Sequence, residues 1–144
     1  MAEDLAASIA RSAAKLVALS RQRGGGAPLD FTPASLETVE EMAGEAAHWA
    51  TELTPAEITG LVQDFGCYLL EVGRAEFGGA YLWHEARDQP VLVVGEPAFH
   101  VALMTWDKLR GRLGGDAADN LPFFYAGFAE RARQAAPGTR ALYV

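Results

Sequence analysis

Cysteine is almost missing from this chain. Cys67 is the single one in 144 residues, so no internal disulfide and no thiolate metal cluster can form. A reducing compartment suits that usage. Long apolar runs are missing too: none approaches the roughly 18 residues that a membrane-spanning helix needs. Glu3 and Asp4 stand where a secretory leader would carry bases. The expectation is a soluble, cytoplasmic protein with no membrane partner. Bases are scarce through the middle, where residues 30–76 hold ten acids against Arg74 alone. Such a block repels phosphate backbones, so no nucleic acid is expected as a partner, whereas a basic protein would be attracted. Glu37, Glu40, Glu41 and Glu45 are its candidate contact residues, although acids spaced this way also simply solvate the outer side of a helix. The glycine pairs lack the lysine and the strand and helix context of a phosphate loop. Neither cofactor nor metal is expected.

Half of the residues are hydrophobic, enough for one domain with a real core. Residues 3–22 read as an amphipathic helix with Leu5, Ile9, Ala13, Leu16 and Leu19 along one side. Gly24, Gly25 and Gly26 end it. The expected organisation is a first helix over residues 1–23, a glycine-rich joint over 24–28 and a single α+β domain over 29–144. That joint allows the helix to pack on the domain, exchange with a second copy or hold a partner.

Two further helices start by one device. Thr32 caps with Pro33 at the first helical position and Phe31 stapling onto Leu36; Thr54 and Glu57 form a capping box with Pro55, flanked by Leu53 and Ile58. The stripe Leu36, Val39, Ala43, Ala46, Ala50 makes the first a core helix, and Ile58, Leu61, Val62, Phe65, Leu69, Val72 makes the second one. Gly66 and Gly73 on the latter invite a close neighbour. Thr105 is the expected cap of a short helix over 106–113. A last helix from about Pro122 to Ala135 is expected to turn Phe123, Phe124, Phe128 and Ala132 inward, and Pro137 and Gly138 then release the tail.

Between these helices, residues 80–103 alternate as three short strands. Tyr81, Trp83, Leu92, Val94, Phe99, Val101 and Leu103 fall on one face; Leu82, His84, Val91, Val93, His100 and Ala102 fall on the other. The first face reads as core. The second is aliphatic with two imidazoles, a contact surface unless something covers it. Helices, a three-stranded antiparallel meander and helices again predict an α+β fold with one layer of sheet packed on helices.

Leu29-Asp30-Phe31-Thr32 with Ser35-Leu36, Gly66-Cys67-Tyr68-Leu69, Gly78-Gly79-Ala80-Tyr81 with Pro90-Val91-Leu92, and Leu121 to Tyr125 resemble a group of small uncharacterised bacterial α+β domains. That group carries an LD-x-[ST]-x-x-SL start, a G-x-YLG helix and a tryptophan-bearing strand. The resemblance spans roughly residues 29–130, with Leu70 in place of the final glycine. It implies a fold and, since no activity is established for the group, no catalytic residue.

Catalysis has little to stand on. With Val93 opposite both Leu82 and His100, the two imidazoles lie about 12 Å apart, too far to share an ion whose ligands sit about 2 Å away. Cys67 has no activating base at helical spacing. The leading expectation is a protein-binding or regulatory module acting through the acidic helices or the His84 and His100 face. Its most concrete form is an immunity-type protein that plugs the active site of a basic toxin. The alternative is a small-molecule-binding protein or enzyme with a pocket under the hairpin between Tyr81, Trp83, Trp106 and the last helix. A homodimer burying the aliphatic sheet face is compatible with either.

Overall fold

A computed structural model describes residues 2–116, 118 and 120–144; Met1, where the expected first segment begins, lies outside the described residues. The fold is α+β. Five helices, α1 (Ala2–Arg23), α2 (Leu36–Trp49), α3 (Pro55–Phe77), α4 (Trp106–Leu113) and α5 (Leu121–Gln134), pack against four strands, β1 (Ala80–His84), β2 (Gln89–Val94), β3 (His100–Leu103) and β4 (Arg140–Tyr143). Among the described residues no helix is long and apolar enough to cross a membrane.

The α3 helix is the hub. Its start is built as its sequence dictates: Thr54 Oγ1 accepts the Glu57 N–H at 3.1 Å while Glu57 Oε1 accepts the Thr54 N–H at 2.9 Å. The expected stripe Val62, Phe65, Leu69, Val72 is buried, and so is the consecutive run Gly66, Cys67, Tyr68, Leu69, Leu70. Burial on all sides marks a central helix; α1, α2, α4, α5 and β2 all contact it. Two of those neighbours come close because Gly66 and Gly73 have no side chain. A Cβ on Gly66 would lie 2.6 Å from Trp106 Cδ1, and one on Gly73 2.9 Å from Leu92 Cδ2. Thr105 uses the space at Gly66: its Oγ1 donates to the Gly66 carbonyl at 2.7 Å and makes no cap bond to α4, contrary to the expected capping role.

Helix α1 lies along α3 and buries Ile9, Ala13, Leu16 and Ser20. Positions 9, 13, 16 and 20 fall on one line of a 3.6-residue helix, whereas Leu19 falls about 100° away. Leu19 is therefore exposed rather than part of the expected stripe. The segment before α2 is locked by Tyr68, whose hydroxyl accepts the Phe31 N–H at 2.8 Å and lies 2.7 Å from Ser35 Oγ. Phe31 sits at φ 64° and stacks on Tyr68 with centroids 4.9 Å apart. Thr32 caps a 3-10 turn, Pro33–Ser35, that leads into α2.

The sheet differs from the expected three-stranded antiparallel meander in having a fourth strand and mixed direction. Its order is β1-β2-β3-β4, with β4 parallel to β3, and α4 and α5 supply the crossover that a parallel neighbour requires. The tail expected to be released is thus paired; Arg140-Ala141-Leu142-Tyr143 is too short to show an alternation. Register also differs. Leu82 faces Val91 and Val93 faces Ala102, where Val93 was expected against both Leu82 and His100. The first turn closes earlier, because His84 Nδ1 accepts the Arg87 N–H at 3.2 Å and Asp88 takes a left-handed conformation at φ 52°. The second closes later, with Phe99 folded against Gly95. Both slips are by two positions, so each side chain keeps its face.

Face one carries Tyr81, Leu92, Val94, Val101 and Leu103 into the main core. In α5, Asn120 Oδ1 accepts the Phe123 N–H at 2.9 Å and sets a phase that buries Leu121, Tyr125, Phe128, Ala129 and Ala132. Phe123, expected inward, lies about 140° round from Phe128 and is 78% exposed. Phe124 is partly buried, beneath the Lys108 ammonium.

Gly66→Ala is expected to lower stability by about 1–2 kcal/mol in urea unfolding, since displacing a packed indole outweighs the gain in helix propensity. Gly73→Ala, which meets only a leucine methyl, should cost less. Equal midpoints for wild type and Gly66→Ala would show that the close approach to Trp106 is not structural.

Candidate functional site

Among the described residues, no helical side chain lines the groove on the second face of the sheet or packs in its cluster. Val91, Val93, Ala102 and Met104 are buried there in a small cluster of their own, separate from the main core, with Val144 packed against it. Leu82 on β1 and Leu142 on β4 flank this floor and remain 56% and 49% exposed. Small residues on the central strands and large ones on the outer strands make a groove of about 460 Å³. Leu82, His84, Val91, Val93 and His100 all line it, so the structure brings these five expected residues together. Trp83, Ala102, Arg140, Ala141 and Leu142 complete the lining. Arg140 and Leu142 were missed because their strand was missed; their parity alone, once β4 is placed, puts them beside His100 and Ala102.

The two imidazoles mark opposite ends of the groove. In the observed register they are separated by two strands and six residues, about 22 Å by strand spacing and rise. His84 is tied to its own turn through Arg87. His100 Nδ1 lies 2.6 Å from Glu96 Oε1, and Arg140 is its neighbour across the parallel pair. Arg140 lines that end of the groove with no ion-pair partner among the described residues, while the Glu96 carboxylate is engaged by His100. Among the described residues no group of three or more His, Cys, Asp or Glu is placed to hold a metal ion.

The other expected residues lie elsewhere. Glu37, Glu40, Glu41 and Glu45 lie on α2, and of these the Glu37 carboxylate makes no hydrogen bond or ion pair among the described residues. Arg23 donates to Glu45 at 2.8 and 2.7 Å and to Glu41 at 3.3 Å, which pins the end of α1 to α2. Hydrogen bonding to Arg23 holds the Glu45 carboxyl below the usual range. Glu40 accepts from Arg112 Nε at 2.8 Å and from the Leu121 N–H at 3.0 Å, joining α2 to α4 and to the start of α5. These carboxylates hold helices together.

Tyr81 and Trp83 do line a cleft, of about 580 Å³, but its far wall is Asp4, Leu5, Ser8 and Arg11 of α1, not Trp106 and the last helix. The Tyr81 hydroxyl donates to Glu71 Oε2 at 2.6 Å. Burial, then that bond, pushes its pKa up. Trp106 meets Trp83 edge to face, with centroids 6.0 Å apart.

Cys67 is buried in the main core. Burial pushes its thiol up to about 12, so it stays protonated through neutral and mildly alkaline pH and is a poor nucleophile. Native protein at pH 8 should leave Cys67 unmodified by Ellman's reagent over an hour, with one thiol released in denaturant. Complete labelling within minutes under native conditions would contradict that burial.

No protein-family model matches the chain, and no curated protein and no solved structure matches it at a significant level.

Proposed function

We propose that this chain is a protein-binding module whose docking element is the uncovered sheet face. The observation that carries the reading is the groove itself. Two large aliphatics, Leu82 and Leu142, stand exposed on either side of a buried aliphatic floor, and a contiguous apolar patch of this kind marks contact surfaces on small proteins. A catalytic reading finds no support there, since His84 and His100 sit at opposite ends and Cys67 is a buried, protonated thiol.

A regulatory role of the immunity type, with the acidic helices plugging a basic active site, draws less support. Seven of the ten acids between residues 30 and 76 accept a hydrogen bond within the chain: Asp30, Glu40, Glu41, Glu45, Glu57, Glu71 and Glu76. Four of them, Glu40, Glu41, Glu45 and Glu76, pair with arginines, and charge balanced in this way is a weaker docking signal. Apolar burial on the sheet face is the stronger source of affinity.

A photo-crosslinking residue at position 82, expressed in the native host, is expected to give a discrete heavier species. The same residue at exposed position 37 on α2 is expected to give little. Crosslinks from position 37 and none from position 82 would move the docking element to the acidic helix and overturn the reading.

A further inference from the structure

We infer that the outer edge of β4 takes up an extended segment of a partner polypeptide as a fifth strand, with an acidic residue opposite Arg140 and an apolar residue opposite Leu142. The inference rests on the reading that the sheet is the binding element and names how a partner engages it.

β4 is an edge strand with β3 as its one neighbour. The His100 N–H donates to the Thr139 carbonyl and the Met104 N–H to the Tyr143 carbonyl, each at 2.8 Å. Odd-numbered residues of β4 therefore turn their main-chain groups to β3. Those of Arg140 and Leu142 point away, and no hydrogen bond among the described residues takes them up. Unpaired edge groups of this kind are a template for another strand. At the opposite edge, β1 is bordered by the first turns of α1.

Exposed apolar side chains bracket the same edge. Leu142 projects on the groove side. On the helix side Phe123 is the most exposed of the large hydrophobics, and Gly127, one turn further along α5, lies against the Tyr143 ring. Size and charge then select the occupant. A strip four residues long and one strand spacing wide is about 13 Å by about 5 Å, under about 100 Å² of main-chain edge, far short of the roughly 800 Å² a side that a globular partner or a stable dimer needs. An extended peptide, held by main-chain bonds and alternating side chains, fits it. Arg140 is exposed and has no ion-pair partner among the described residues, so a carboxylate opposite it completes a cross-strand pair.

The test pans a phage library of random twelve-residue peptides on the immobilised full chain and measures the enriched peptides by fluorescence anisotropy. Enriched sequences should place an acid two positions from an apolar residue. Their affinity should fall about tenfold or more in Arg140→Glu and in Leu142→Pro. It should recover on Arg140→Glu when the peptide acid is replaced by lysine. Leu142→Pro removes an N–H that points away from β3, so the ladder survives; circular dichroism and melting temperature check that both variants fold. Glu37→Gln, exposed on α2 and away from the sheet, should leave peptide binding unchanged. Peptides lost in Leu82→Glu but indifferent to both edge variants would overturn the edge and leave the sheet-face reading standing. No enriched peptide, or a dimer in sedimentation that Leu142→Pro dissolves, would overturn the peptide as occupant, the latter in favour of a second copy.

Discussion

A helix that is buried on every side consumes the partners that would otherwise cover a sheet. Here α3 holds that place, and two side-chain-free positions make it possible. Gly66 admits the indole of Trp106 and the hydroxyl of Thr105, and Gly73 admits Leu92 from the sheet. α1, α2, α4 and α5 all pack on α3, and among the described residues the cluster on the reverse face of the sheet holds no helical side chain. The sheet therefore has a core side and a bare side. Val91, Val93, Ala102 and Met104 pack against each other there, with large aliphatics exposed at the margins.

The acidic composition serves the same assembly. Arg23 ties the end of α1 to Glu41 and Glu45, Arg112 ties α4 to Glu40, and Arg133 with the Tyr125 hydroxyl ties α5 to Glu76. Each link joins elements distant in sequence. The pairs of Arg23 and Arg133 lie at the surface and contribute little individually, that of Arg112 and Glu40 is largely buried, and together they orient helices around the hub. Four carboxylates of the acidic block thus face arginines inside the assembly, while the net charge of −7 is unchanged by such pairing. On the sheet face a single arginine, Arg140, stands beside His100 at one end of an aliphatic groove.

Local chemistry carried much of this into the sequence. The capping box at Thr54 and Glu57 has a mechanism that needs no tertiary context, and it sits where the residues place it. The division of β1 to β3 into two faces was legible because period-two alternation survives any even slip in register. The register itself was not, since it depends on a His84 side chain capping its own turn and on Phe99 folding onto Gly95. Phe123 and Leu19 look apolar and inward in a stripe, but the phase of a helix is set by its packing partners. β4 left no sequence signal; four residues after a proline and glycine become a strand only because β3 offers an edge. Half of the groove rim was hidden with it, including Arg140, which turns the expected partner charge from basic to acidic at that point.

The sheet has one bare face and one open edge. Amide hydrogen exchange along β4, followed by NMR, measures that edge residue by residue. Ala141 and Tyr143, turned to β3, should exchange slowly, while Arg140 and Leu142 should exchange near the rate of unstructured amides. Uniform protection across residues 140–143 at low protein concentration, or none at any of them, would contradict it.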